Sequence, residues 1–183
     1  KLNIGTINIG STQHLAAELF RSQANLITQL VPYNGTPAVI NALRGGQVDV
    51  VVEILGPLKP QISAKAVRLL GVMGASRPKD LPQVPVVREI AGLSGFNVSS
   101  WNALAAPAKT PKAVVDRLSA EVAKILAEPD MVQRLAGFNV EAKASTPAQL
   151  AQLLDSDIQR WSAVIAKAGL TPADIDLWEV NEA

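Results

Sequence analysis

The sequence predicts an α/β protein built on a doubly wound, mainly parallel sheet, and two observations carry that expectation, while a third marks where helices begin. Strand-like and helix-like segments alternate strictly from Leu2 to Met73, the pattern of right-handed crossovers between parallel strands. The run Val48-Asp49-Val50-Val51-Val52-Glu53-Ile54-Leu55 is nearly all apolar and β-branched, as a central strand covered on both faces would be. A Thr-Pro pair recurs at Thr36-Pro37, Thr110-Pro111 and Thr146-Pro147. In each pair the hydroxyl is placed to cap a helix, and the proline falls at the first helical position, where its missing N–H costs nothing.

Leu2 to Ile9 alternates apolar and polar residues with one slip near Gly5, which predicts a strand with an irregularity. A helix follows over 12–23, with Leu15, Ala16, Leu19 and Phe20 as its apolar stripe. Leu26 to Val31 reads as a second strand, closed by the turn cluster Pro32-Tyr33-Asn34-Gly35, where Asn34 or Gly35 takes positive φ. The next helix opens at Thr36-Pro37 and stops at Gly45-Gly46. After the strand Val48 to Leu55, Gly56-Pro57 is a break, Leu58 to Ala64 a short helix and Val67 to Met73 a fourth strand. Ser76 to Gly95, rich in proline and glycine, reads as a surface connection ending in a short helix over 86–91. Phe96 to Ala106 is strand-like, 112–127 and 129–136 are helices, Asn139 to Ala144 is a short strand, and a longer helix runs from Thr146-Pro147 to about Ala168.

With 183 residues, 48% of them hydrophobic and 18% charged, the chain can bury one large core or two small ones. A net charge of +1 from 17 basic and 16 acidic residues, with no basic cluster, gives no footprint for nucleic acid or a polybasic membrane patch. The absence of cysteine removes disulfides, thiolate metal sites and a cysteine nucleophile. No apolar run approaches the ~20 residues of a membrane span, and no signal-like segment opens the chain. No cofactor or metal is expected.

Ligands of such sheets sit at the carboxyl ends of strands. Three stretches meet that description: Gly10-Ser11-Thr12, Tyr33-Asn34-Gly35-Thr36-Pro37, and Glu53 to Pro57. The first combines a glycine that lets the backbone approach a ligand, a capping hydroxyl, and first-turn N–H groups at the positive end of a helix dipole, a setting suited to phosphate or carboxylate. The plain alternative is that Ser11 only caps. The single histidine, His14, lies one turn into this helix and is read as a surface or rim residue, because no carboxylate stands beside it and Ser11 to complete a triad. Asp49 is read as a structural partner, and Trp101 as packing. Glu53 lies near the functional edge, where it repels an anion unless water or a proton intervenes.

Several blocks in order resemble the receptor subunits of tripartite tricarboxylate transporters, the Bug-type periplasmic solute-binding proteins. They are Gly10-Ser11-Thr12-Gln13-His14-Leu15-Ala16-Ala17-Glu18-Leu19-Phe20, Val31-Pro32-Tyr33-Asn34-Gly35-Thr36-Pro37-Ala38, Gly45-Gly46-Gln47-Val48-Asp49-Val50, Leu81-Pro82-Gln83-Val84-Pro85, and Trp101 to Pro111, with Ser145-Thr146-Pro147 near the end. The resemblance implies a periplasmic-binding-protein-like (type II) fold of two α/β lobes with the ligand in the cleft between them. In that frame, 1–99 is the complete second lobe, and 100–183 is a crossover strand with the C-terminal part of the first. The start of the first lobe, with the family's glycine-rich carboxylate-binding loop, is absent, in keeping with a chain that begins at Lys1. The implied function is a non-enzymatic periplasmic receptor that captures a small carboxylate for membrane permease subunits. The implied ligand-binding residues are Gly10, Ser11, Thr12, Tyr33, Asn34, Gly35, Thr36 and Glu53. At the last of these many relatives carry an acidic-amide pair, where this chain has Glu53-Ile54.

Two other classes compete. An effector domain of a transcription regulator can share the fold, but no helix-turn-helix is visible. An α/β hydrolase lacks its G-x-S-x-G elbow here. If half the cleft is missing, the apolar faces at Val114, Val115, Leu118, Val122, Ile125, Leu150, Leu153, Leu154 and Ile158 have lost partners. The chain is then expected either to associate with a second copy or the missing part, or to repack, and to bind carboxylates poorly by itself.

Overall fold

An alternating run and a periodic helix with a capping serine open the chain; the helix forms over its predicted span, and the strand stops at Ile7, two residues short of the predicted Ile9. In the computed structural model, which describes residues 2–171, β1 is Leu2–Ile7 and α1 is Thr12–Gln23. β2 is Thr28–Tyr33, α2 Thr36–Arg44 and β3 Val50–Val51. The three strands are parallel in the order β2-β1-β3, with Ile4 opposite both Leu30 and Val50. The central strand is therefore β1, not the apolar run after Gln47 as expected. That run pairs regularly only at Val50–Val51. Around it the ladder is irregular: the Asp49 carboxylate accepts the Asn3 N–H at 2.8 Å, and the N–H groups of Asp49 and Val52 donate to the carbonyls of Asn3 and Gly5. Of its apolar residues Val48 is buried, Val50, Val51 and Val52 are half-buried, and Ile54 is exposed.

The irregularity near Gly5 has a steric cause. A Cβ there would lie 2.8 Å from Val39 Cγ2, 3.1 Å from Val48 Cγ2 and 3.2 Å from Val51 Cγ1. Gly5 thus lets α2 settle directly on the central strand. The core around it consists of Ile4, Leu15, Ala16, Ala17, Val39, Ile40 and Ala42.

Other elements moved from their expected bounds for identifiable reasons. β2 starts two residues later than predicted because Asn25, at φ +51°, and the Leu26 N–H to Arg21 carbonyl bond still belong to the end of α1. It also runs through Pro32, which a strand tolerates at a sheet edge. α3, Leu55–Ser63, begins before Gly56-Pro57, since Pro57 falls in its first turn, where no N–H is required. The expected strand over 67–73 is reduced to one parallel bridge, Val72 to Val86. Its neighbouring segment carries Pro82 and Pro85, which cannot donate to a ladder. The expected helix over 86–91 is a single 3-10 turn, Val87–Glu89. Phe96 to Ala106 and Asn139 to Ala144 form no strand. Instead, Val98 donates to the Met73 carbonyl at 2.7 Å, while Phe96 is fully buried edge-on against Phe20, ring centroids 6.0 Å apart.

The later helices are α4, Lys112–Ala127; α5, Pro129–Gly137; and α6, Pro147–Lys167. Only one of the three Thr-Pro pairs caps through its hydroxyl. Thr146 Oγ1 accepts the Gln149 N–H at 3.2 Å while Gln149 Oε1 accepts the Thr146 N–H at 2.9 Å, a reciprocal capping box. Gly35 caps α2 and Pro111 caps α4, both without a side-chain bond, so Thr36 and Thr110 do not serve as the caps expected of them.

The chain divides into two compact units, the first running to Trp101 and taking up the chain again from Ser162, the second spanning Asn102–Trp161. The second contains α4, α5 and most of α6, and no residue of α4 or α5 is buried. Val114, Leu118, Ile125, Leu153, Leu154 and Ile158 are exposed, Leu118 by 54%. Trp101, read as packing, is 39% exposed.

Candidate functional site

At the carboxyl edge of the sheet the chain leaves each strand in a loop, and hydrogen bonds tie the three loops together. From β1, Asn8 donates to the Tyr33 carbonyl at 3.1 Å, joining the first loop to the second. From α1, Gln13 Nε2 donates to Glu53 Oε1 at 2.8 Å, joining the first to the third. The same Glu53 oxygen accepts the Ile54 N–H at 2.7 Å, at the entrance to α3. Glu53 Oε2 is buried and has no protein partner.

The first loop turns at Gly10, whose φ of +84° is left-handed and open to glycine at little cost. Ser11 then caps α1 with both capacities of its hydroxyl: Oγ donates to the Ile7 carbonyl at 3.1 Å and accepts the His14 N–H at 3.1 Å. The Ser11 N–H donates to Asn8 and its carbonyl accepts from Leu15. The Ser11 side chain is thus committed to the fold, and the donors left in the first turn are main-chain N–H groups at Thr12 and Gln13, which an α-helix leaves without intrahelical partners. Ser11→Ala is accordingly expected to cost about 0.5–2 kcal/mol of stability, the usual value of a lost cap, and to weaken ligand binding only moderately because the amides remain. Chemical denaturation and calorimetry on the variant check the two halves of that expectation.

In the second loop Tyr33 closes β2, half-buried, with its carbonyl accepting from Asn8 and Gly35. Asn34 is exposed, Gly35 takes the positive φ at +90°, and Thr36 is the half-buried first residue of α2. The predicted residues therefore gather on one edge, with Thr36 in the helix rather than before it. Asp49 is structural, as read.

His14 is the residue that the sequence reading misplaced. It is buried, not on the surface or rim, and its Nδ1 accepts the Gly10 N–H at 3.5 Å. The spacing held the signal: His14, Ala17, Glu18 and Arg21 lie at i, i+3, i+4 and i+7 on one helix face. Ala17 and Glu18 are buried with it, and Glu18 is paired to Arg21 at 2.6 Å. Burial, and after it the Arg21 charge, lower the His14 pKa.

Two of the basic side chains on these elements are paired. Arg21 is held by Glu18, and Lys59 on α3 reaches Asp80 at 2.7 Å, a bond that lowers the Asp80 pKa. Arg44 sits in the last turn of α2, at its opposite end. Among the described residues no cluster of His, Asp and Glu forms a metal site.

A parallel sheet whose strand-end loops meet at its carboxyl edge, with first-turn amides and the Glu53 carboxylate among them, is the arrangement of an α/β lobe of the solute-binding kind. The comparisons narrow the class. The profile of the "tripartite tricarboxylate transporter family receptor" matches residues 1–170. A protein of Pseudomonas sp. described as "UPF0065 protein in tcbD-tcbE intergenic region" is 37% identical over 167 residues, covering 91% of this chain and 50% of its own length. Protein BugT of Bordetella pertussis is 29% identical over 162 residues, covering 88% and 49%. Among solved structures, R. palustris Rpa4515 with adipate aligns with TM-score 0.80 and 30% identity over 93% of this chain and 57% of that one. MatC from Rhodopseudomonas palustris with bound malate gives TM-score 0.70 and 30% identity, over 90% and 56%. The chain belongs to the tripartite tricarboxylate transporter receptor family. It spans about half the length of these curated relatives.

Proposed function

We propose that the chain is part of a periplasmic receptor, without catalytic activity, that captures a small mono- or dicarboxylate and presents it to the permease subunits of a tripartite transporter. The observation that carries this reading is the convergence of the Asn8–Thr12, Tyr33–Thr36 and Glu53–Ile54 loops around first-turn amides of α1, with Arg21 and Lys59 already neutralised. Helix N-termini recognise carboxylates at about 0.3–2 kcal/mol per favourable contact without a cationic side chain. Gly10, Ser11, Thr12, Tyr33, Asn34, Gly35, Thr36 and Glu53 are the ligand-facing set, with Ser11 acting by holding the turn and the free main-chain donors lying at Thr12 and Gln13. Adipate in Rpa4515 and malate in MatC support a carboxylate, and the structural neighbour described as periplasmic binding protein BugD supports the compartment.

In this reading 1–99 forms one lobe of the cleft, and 100–183 carries the crossover and part of the other lobe. A division between Trp101 and Asn102 supports that boundary. The exposed apolar residues of α4 and α6 support self-association of the chain, or cover by the remainder of the first lobe. A thermal-shift panel on the full-length gene product tests the function. Mono- and dicarboxylates are expected to raise the transition temperature and amines and uncharged sugars to leave it unchanged; a preference for sugars would refute the reading.

A further inference from the structure

We propose that His14 is the positioning residue of the anion loop: its side chain accepts the Gly10 N–H, and through that bond it holds the turn that aims the first-turn amides of α1. The inference rests on the carboxylate reading of the same site and deepens it. His14 closes the loop twice, its main-chain N–H donating to Ser11 Oγ at 3.1 Å and its Nδ1 accepting from Gly10 at 3.5 Å. Gly10, at φ +84°, makes the turn between them, and Ser11 in turn bonds Ile7 and Asn8. An accepting Nδ1 requires the neutral ring with its proton on Nε2. Protonation would turn Nδ1 into a donor facing another donor. The Gly10 bond would then be lost, and the turn at Gly10 left held only through the bonds of Ser11.

The charged and titratable surroundings do not reverse this logic. On α1 the groups are Glu18 and Arg21, paired with each other. β1 carries no titratable side chain, β2 only Tyr33, and the Leu93–Val98 segment packed at Phe20 none. Glu53 is tied to Gln13, the residue beside His14. Burial first, and Arg21 second, lower the His14 pKa from its ordinary value near 6.5. The unfolded chain therefore binds the proton more readily than the folded one. The contribution to stability is whole above pH ~6.5 and declines as pH falls through that value toward the lower folded pKa.

The test follows the loop and the ligand separately. On the full chain, nuclear magnetic resonance of the imidazole nitrogens and of the Gly10, Ser11 and Thr12 amides is recorded against pH. The expected result is the Nε2–H tautomer at pH 8 and a midpoint below 6.5 shared by His14 and the Gly10 amide. In His14→Asn, whose Oδ1 can accept the same N–H and does not titrate, that amide transition should vanish. A neutral ring protonated on Nδ1, or a Gly10 amide indifferent to the His14 titration, would overturn the proposal. In the second arm, adipate is titrated calorimetrically into the full-length gene product. The wild type should weaken about 2–10-fold, the value of one hydrogen bond, as pH falls through the His14 midpoint. His14→Asn reports what adipate's own protonation contributes, and a wild-type loss no greater than in that variant counts against the proposal. His14→Phe should bind weakly at every pH; if it fails to fold, the Asn variant and the wild type still decide. If no form binds adipate at pH 8, the carboxylate reading is in difficulty, while the coupling of amide to imidazole is decided by the first arm alone.

Discussion

Phe96→Ala is expected to remove about 3–5 kcal/mol of stability, the range for deleting a buried aromatic ring. Phe96 is fully buried and meets Phe20 of α1 edge-on at 6.0 Å and 88°. Leu93, Val98, Val84 and Val86 are buried in the same segment. This irregular strap, and not a further strand, covers that part of α1. Losing the ring leaves a void that the chain cannot fill without shifting α1, the helix whose first turn forms the candidate site. A domain is usually stable by only about 5–15 kcal/mol, so the loss is a large fraction of the whole. Guanidinium denaturation should show a markedly lower midpoint, and a change below ~1 kcal/mol would mean the strap packs only loosely. Phe96→Leu, which keeps most of the volume, should recover much of the difference.

Gly5→Ala is the second large effect, and here the damage comes from adding atoms. A methyl group 2.8 Å from Val39 Cγ2, and barely further from Val48 and Val51, cannot be relieved by swinging a long flexible side chain aside, since all three neighbours are short and β-branched. Overpacking of this sort costs about 1–3 kcal/mol, and the shift must be taken by α2 or by the β1–β3 pairing. The signature is non-additivity: Val39→Ala destabilises by itself, but in combination with Gly5→Ala it should restore part of the loss, a coupling readable in a double-mutant cycle. Additive losses would mean that the strand, not the helix, gives way.

Helix α1 was legible at both ends, Thr12 and Gln23, and so was α4 from Lys112 to Ala127, because a helix carries its hydrogen bonds and its periodicity within itself. A strand can carry its alternation, as Leu2–Ile7 does, but its hydrogen-bond partners lie in another segment. Val48 to Leu55, Val67 to Met73 and Phe96 to Ala106 all have strand composition, yet pairing depends on what lies alongside. Prolines 82 and 85 deny it to one, and side-chain burial replaces it in another. The capping threonines teach a finer distinction. Only Thr146 is followed three residues on by a glutamine able to return the bond; Thr36 is followed by Val39 and Thr110 by Ala113. In the site, the gathering of the Gly10, Tyr33 and Glu53 loops followed from parallel topology and could be read in advance. What could not be read from local pattern was that Ser11 would spend its hydroxyl on Ile7 and His14, or that a histidine would be buried beside a glycine turn.

Pro32 gives one edge of the sheet a further property. It stands opposite Thr6 in β2, the outer strand of the three, and the residue that lacks an N–H is thereby placed where another chain would otherwise find a donor. A strand arriving there would have to leave one of its own carbonyls unpaired, a penalty of about 1–3 kcal/mol once water is excluded. Strand-to-strand pairing along that edge is thereby opposed by a single covalent ring, one residue before the Tyr33 turn.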